Sequence, residues 1–223
     1  MTPPRIDPRT VPVTQVDTHL PAVHGTVLQP DALRARFAKS PVWQAEFLAE
    51  KKFMDRAPMP AAVLLPIVLR PEPTVLLTLR AQHLSTHSGQ IAFPGGKVDD
   101  TDADAVAAAL REAQEEIGLG AHFVEVLGQL PIYVTGSAFH VTPVVALISP
   151  DMVLRPNPFE VADVFEVPLA YLMNPAHHRH HRVDWQGVQR EWLSMPYQDA
   201  TTERFIWGAT AGMLRNFYRF LQA

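Results

Sequence analysis

The 223 residues are 47% apolar with a formal net charge of −4. That suits one α/β domain plus an extension, or at most two small domains, and it gives no sign of a general nucleic-acid or membrane surface. With no cysteine in the chain, disulfides, thiolate metal sites and cysteine nucleophiles are excluded.

No apolar run reaches the roughly 18 residues of a membrane span. The opening "MTPPRIDPRT" has neither the apolar core of a signal peptide nor the acid-poor pattern of a transit peptide, so a soluble cytoplasmic protein is expected. Pro3, Pro4, Pro8, Pro12, Pro21 and Pro30 predict an extended, loosely held arm over residues 1–30. Asp31 reads as the N-cap of "ALRARFAK", and Ser40-Pro41 as the cap and first residue of a second helix, "VWQAEFLAEK". Residues 1–57 are thus expected to form an arm and helical extension, and residues 58–223 the main domain.

From Ala61 the character changes. "AAVLLPIVLR" and "PTVLLTLR" are β-rich runs joined by "PEP" and predict neighbouring strands. Residues 102–117 predict a helix, with Asp102 or Asp104 near its start and Gly118 or Gly120 after its end. Val106, Leu110, Ala113 and Ile117 form its buried side, which leaves the glutamates facing out. "HFVEVLGQLPIYV" and "FHVTPVVALI" read as strands, and "VADVFEVPLAYLM" as a strand entering a short helix. "HHRVDWQGVQREWLSM" reads as a hairpin turning at Gln186-Gly187, and "ERFIWGATAGMLRNFYRFL" as a closing amphipathic helix. Strands interleaved with helices predict a mixed sheet between helical layers.

The helix carries the chemistry. Glu112 and Glu116 project about 40° apart and Glu115 about 60° to the other side. Like charges at that spacing cost a few tenths of a kcal/mol, so stability does not call for them, whereas a divalent cation would use them.

"GGKVDDTDADAVAAALREAQEEIGL" resembles the signature of the Nudix hydrolases, G-x5-E-x7-R-E-U-x-E-E-x-G-U with U a bulky apolar residue. The second half falls on Arg111, Glu112, Ala113, Glu115, Glu116, Gly118 and Leu119. The first half departs: Gly96 is one residue too far from Arg111, and Ala103 stands where the family has its first glutamate, with Asp102 or Asp104 as substitutes. Upstream, "LLTLRAQHLSTHSGQIAFPGG" resembles the motif of the coenzyme A pyrophosphatase branch, whose members tend to have the lengthened loop. "VFEVPL" and "RFIWGATA" look like later landmarks of that branch.

The resemblance covers about residues 60–220 and implies an α/β/α Nudix sandwich. It implies hydrolysis of the pyrophosphate of coenzyme A or acyl-CoA, giving 3′,5′-ADP and 4′-phosphopantetheine or its acyl form. The implied cofactor is Mg²⁺ or Mn²⁺, held by Glu112 and Glu116, with Glu115 as a third ligand or a base. Arg111 would orient a glutamate, and Glu160 is a candidate base. Arg80, Gln90, Phe93, Gly95 and Gly96 would meet the substrate. The partner is a nucleoside diphosphate-linked small molecule, with no nucleic acid and no membrane, and a homodimer is left open. The alternatives are hydrolysis of another nucleoside diphosphate derivative such as ADP-ribose, or a Nudix module that binds a nucleotide without cleaving it.

Plainer roles stand beside these. Phe93 also suits a core position, Gln90 a turn cap and Glu160 the surface. "HHRHH" at residues 177–181 is read as an exposed, incidental cluster. Trp185, Trp192, Tyr197 and Trp207 are read as packing residues rather than adenine platforms.

Overall fold

In chain order the computed structural model, which describes residues 7–83, 89–185 and 187–223, opens with β1 (Val13–Val16) and α1 (Pro30–Ala38). Next come β2 (Met59–Val68), β3 (Thr74–Arg80), β4 (Ile91–Ala92), β5 (Gly95–Lys97) and α2 (Ala105–Ile117). The middle of the chain forms β6 (Val124–Gln129), β7 (Tyr133–Val134), β8 (Phe139–Ile148), β9 (Val161–Pro168) and α3 (Leu169–Leu172). It closes with β10 (Arg179–Trp185), β11 (Val188–Gln198), β12 (Glu203–Trp207) and α4 (Gly208–Gln222).

The continuous apolar runs of β2 and β8 have a direct cause. The two strands pair in parallel from Met59–Phe139 to Val68–Ile148 at the centre of the mixed sheet, where both faces are covered. The sheet order is β4-β3-β2-β8-β6, with β5 on β2, β7 on β8 and β9 on β3. Side chains alternate between two cores. Leu65, Ile67, Val75, Leu77, Val145 and Leu147 pack with Leu214 and Phe217 of α4. Leu64, Val68, Leu76, Val144, Ala146 and Ile148 pack with Ala108, Ala109, Ala113 and Ile117 of α2. The expected sandwich of a mixed sheet between helices is therefore present.

A second sheet, β1-β10-β11-β12, adds Leu193, Met195 and Ile206 to the α4 core. The β10–β11 hairpin forms as expected and Gly187 sits at φ 74° in its turn, while Gln186 and the Trp185 side chain lie outside the described residues. No helix among the described residues is long and apolar enough to cross a membrane.

Several expectations are corrected, most of them by a tertiary contact. The arm is not loosely held, since Val13, Gln15 and Val16 pair with His181, His180 and Arg179. Asp31 is not the cap of α1: Gln29 takes that position without a side-chain capping bond, Pro30 begins the helix, and Asp31 pairs with Arg34 at 2.8 Å.

The second helix predicted after Ser40 is absent. The backbone of Glu46 and Phe47 is captured instead, with both amides donating to Asn216 Oδ1 at 3.0 Å. Trp43 packs edge-on against Phe220 at 5.4 Å. The closing helix begins only at Gly208, because Glu203–Trp207 forms β12 against β11.

The histidine run is not an exposed cluster. His178 and His181 are buried, and a single neutral tautomer satisfies each ring. His178 Nε2–H donates to the Leu172 carbonyl at 2.8 Å and its Nδ1 accepts from Arg215 at 3.0 Å. His181 donates from Nδ1 to the Val11 carbonyl at 2.9 Å and accepts the Ser194 hydroxyl at 2.8 Å. His177 stacks on Tyr171 and His180 bonds Asp17. Trp192 and Trp207 meet edge to face, as do Tyr171 and Tyr197, so these aromatics pack among themselves.

Candidate active site

Helix α2 is anchored at both ends by its own sequence. Asp104 caps it, accepting the Ala107 amide at 2.9 Å, and Gly118 ends it in the left-handed conformation at φ 69°. The apolar side predicted for α2 is present at Ala113 and Ile117, but the outward-facing glutamates are not all outward. Glu116 is only 2% exposed, whereas the Glu115 side chain is 55% exposed.

Two segments close on the buried carboxylate. Arg80, at the end of β3, reaches Glu116 Oε1 with Nη1 at 3.1 Å, and the Gly95 amide donates to Oε2 at 3.2 Å. Glu112, one turn earlier, lies directly over Gly96, where a Cβ would fall 2.4 Å from its carboxylate oxygen. Any side chain at the second glycine of "FPGG" would therefore displace the carboxylate above it. Gly96→Ala is expected to push Glu112 away from Glu116 and weaken activity while leaving thermal unfolding within a few degrees of the parent. An unchanged Mg²⁺ requirement and rate in that variant would show that the close approach has no role.

Arg111 links the remaining acids. Its guanidinium bonds both oxygens of Asp102 at 3.0 Å, Glu112 at 3.1 Å and Glu115 at 3.0 Å. Asp102, one residue before Ala103, therefore supplies the carboxylate that the box lacks at its usual place. Asp104 is left to the helix cap. The Arg111 bond holds the Asp102 carboxyl below the usual range, and the same contact raises Arg111.

Burial pushes the Glu116 pKa up to about 7, against the opposing Gly95 bond and Arg80 charge, with Glu112 and Glu160 adding repulsion. Glu112 is raised as well, chiefly by burial, with Arg111 opposing and Glu115 and Glu160 repelling it. The charge of Glu160 thus reaches both glutamates.

Glu160 is held on a stiff turn. Asn157 Nδ2 donates to its Oε1 at 3.0 Å, the Asn157 amide donates to the Glu116 carbonyl at 2.8 Å, and the Glu160 carbonyl accepts the Ala81 amide at 2.9 Å. Asn157 is a positioning residue that sequence reasoning missed. Its only signal was its place three residues before Glu160, the spacing of a local side-chain turn.

Gln90 lies beside the site through its backbone, its carbonyl accepting the Arg80 amide at 3.0 Å. Phe93 is corrected as a substrate contact: it is 2% exposed and packs in the α4 core, so it anchors the loop. Residues 84–88 of the upstream motif lie outside the described residues.

Among the described residues no group of three or more His, Asp or Glu side chains forms a ready-made metal cage. Mg²⁺ does not ask for one, because it is commonly bound by one or two carboxylates with waters and substrate phosphates completing its shell. Glu112 and Glu116, hard oxygen donors set side by side at a glycine turn, fit that requirement.

A NUDIX domain model matches residues 58–192, and the chain belongs to the Nudix family. The Nudix hydrolase NudL of Escherichia coli (strain K12), described as uncharacterized, is 49% identical over 158 residues, covering 70% of this chain and 79% of that protein. NudL of Shigella boydii serotype 18 matches over the same length at 49%. Among solved structures, the M. smegmatis Nudix hydrolase RenU aligns with a TM-score of 0.42 at 26% identity, covering 51% of this chain and 73% of its own. A MutT/nudix family protein from Enterococcus faecalis gives 0.44 at 16%, covering 76% and 64%. The protein is thus a Nudix pyrophosphohydrolase of a nucleoside diphosphate derivative, in a family that typically uses a divalent metal.

Proposed function

We propose that the substrate is coenzyme A or its acyl derivatives, cleaved at the pyrophosphate to 3′,5′-ADP and 4′-phosphopantetheine or its acyl form. One observation carries this reading furthest. Arg80, from the stretch that resembles the coenzyme A pyrophosphatase motif, is bonded to Glu116 of the Nudix box, which supports a role for that stretch beside the box carboxylates.

In this reading Glu112 and Glu116 hold Mg²⁺ or Mn²⁺, which supplies Lewis acidity at the phosphoryl oxygens and a lowered pKa for bound water. Arg80 meets phosphate as a fixed cation at the mouth of the site. Arg111 orients Glu112 and Glu115 through charge-assisted bonds. Glu115, the most exposed of the three box glutamates, or Glu160, on its Asn157-braced turn, takes the proton of the attacking water. Gly95 and Gly96 let the backbone approach the phosphates. A cytoplasmic setting, where coenzyme A is available, belongs to the same reading.

Coenzyme A differs from its 3′-dephospho form by one phosphate. One charge-assisted contact to that group is worth about 1.5–3 kcal/mol, or roughly tenfold to a hundredfold in kcat/KM. Steady-state kinetics on the two compounds with Mg²⁺ are expected to favour coenzyme A by that factor. Equal values would remove the branch assignment while leaving the pyrophosphohydrolase itself intact.

A further inference from the structure

A cleft of about 500 Å³ opens on the side of β3 away from α2, lined in part by Arg9, Leu79, Gln90, Glu203, Phe205 and Trp207. We propose that this cleft binds a neutral, amide-bearing arm of the substrate, while the phosphates stay with Arg80 and the box carboxylates. The proposal rests on the coenzyme A reading for the identity of that arm, the pantetheine chain.

Position is the first argument. Leu79 lines the cleft and Arg80, the next residue of β3, reaches Glu116 on the opposite face. Gln90 also lines the cleft, and its carbonyl accepts the Arg80 amide at 3.0 Å. A ligand that straddles the end of the β3–β4 pair therefore meets the carboxylates with one end and the cleft with the other.

Charge is the second argument. Asp7 and Glu203 oppose Arg9 and Arg204 in the lining, so its formal charge cancels. Arg204 is already engaged, bonding Asp163 and Asp199 at 2.7 Å each. Such a lining does not favour a phosphate-rich end of a ligand.

It does suit an uncharged chain bearing amides. The carboxylates of Asp7 and Glu203 accept amide hydrogens, and Leu79, Ile91, Phe205 and Trp207 give apolar wall. Coenzyme A divides its charge in the same way, with every phosphate on the nucleotide side and a neutral arm on the other.

The walls are also particular to this chain's periphery. Asp7, Pro8 and Arg9 precede the residues matched to the Nudix domain, and Thr202, Glu203, Arg204, Phe205 and Trp207 follow them. Arg9 leans over the Phe205 ring at 5.4 Å and so joins these two outlying segments into one wall.

Two variants test the cleft. Thr202→Trp places a large side chain at its exposed rim, and Arg9→Ala removes the wall over Phe205. Each is assayed with Mg²⁺ on coenzyme A and on ADP-ribose, which shares the pyrophosphate and lacks the arm. KM for coenzyme A is expected to rise at least about tenfold in Thr202→Trp, the scale of losing a pocket contact. Turnover of ADP-ribose is expected to stay within twofold of the parent. Equal effects on both compounds, or no effect on either, would overturn the assignment.

Pantetheine alone is then titrated into the full chain by ligand-observed NMR. Saturable binding to the parent that is lost in Thr202→Trp and weakened in Arg9→Ala supports the arm site even if coenzyme A is not cleaved. No binding to the parent, or binding unchanged by both substitutions, contradicts it. Coenzyme A hydrolysis by the parent reports separately on the proposed function.

Discussion

Glu116→Gln is expected to lower activity by about two orders of magnitude or more, the scale of losing a preorganised catalytic group, without loss of folding. The substitution keeps the volume and the shape of a side chain that is 2% exposed and removes the charge that would hold a hard cation. Its effect on stability should have the opposite sign at high pH. Burial raises the Glu116 pKa to about 7 in the folded protein, so the fold binds this proton more tightly than the unfolded chain does. That contribution to stability is full below the ordinary glutamate pKa and is lost as pH rises toward 7. The difference is on the order of 2–4 kcal/mol at alkaline pH.

Glutamine carries no such penalty, so urea midpoints of the metal-free variant are expected to exceed the parent at pH 8. The gap should close toward pH 5. Near-full activity of the variant at saturating Mg²⁺ would remove Glu116 from the site, and a parallel fall in stability at every pH would remove the burial argument.

Arg215→Met is expected to cost about 3–5 kcal/mol, the usual penalty for leaving a buried carboxylate without its partner. The Arg215 side chain is 3% exposed and bonds Asp17 at 3.0 Å and Glu46 at 2.8 and 3.2 Å. Asp17 is itself 3% exposed, and its pKa stays below the usual range despite burial because His180, Arg215 and Gln15 hold the charged form. His178, which Arg215 also contacts, is pushed down to about 4 by burial and stays neutral in the fold. Removing Arg215 therefore leaves Asp17 with His180 and Gln15 alone and removes one of the ties between α4 and the N-terminal region, beside Asn216 and the Trp43–Phe220 contact. Chemical denaturation reads the result directly. A loss below about 1 kcal/mol would be the size expected of an exposed ion pair and would contradict the buried-pair argument.

The central strands and α2 were legible in the sequence because local pattern and tertiary need coincide there. β8 begins and ends where "FHVTPVVALI" does, and the α2 stop falls at Gly118. The N-terminal third was not legible, since its contacts are long-range. Nothing near Ser40 signals that Asn216, far along the chain, would take the amides of Glu46 and Phe47 from a helix. The strand in "ERFIW" was hidden by its continuity with the apolar pattern of α4, and pairing with β11 decides it.

At the site the box acids and Arg80 could be singled out by type and spacing. The burial of Glu116 could not, because helical periodicity placed it on the polar side. It is buried by Arg80, the Gly95 loop and the turn around Asn157, none of which lie on the helix. The histidine run misled for the same reason, as alternate histidines point inward from β10 and its approach to bonds at Leu172, Val11 and Ser194.

The measurement that bears most directly on the assignment is product analysis of coenzyme A incubated with the purified chain and Mg²⁺, run beside ADP-ribose at equal concentration. The expected result is stoichiometric 3′,5′-ADP and 4′-phosphopantetheine, formed faster than ADP-ribose is consumed and not formed when EDTA is added. Intact coenzyme A after prolonged incubation, or faster cleavage of ADP-ribose, would contradict it.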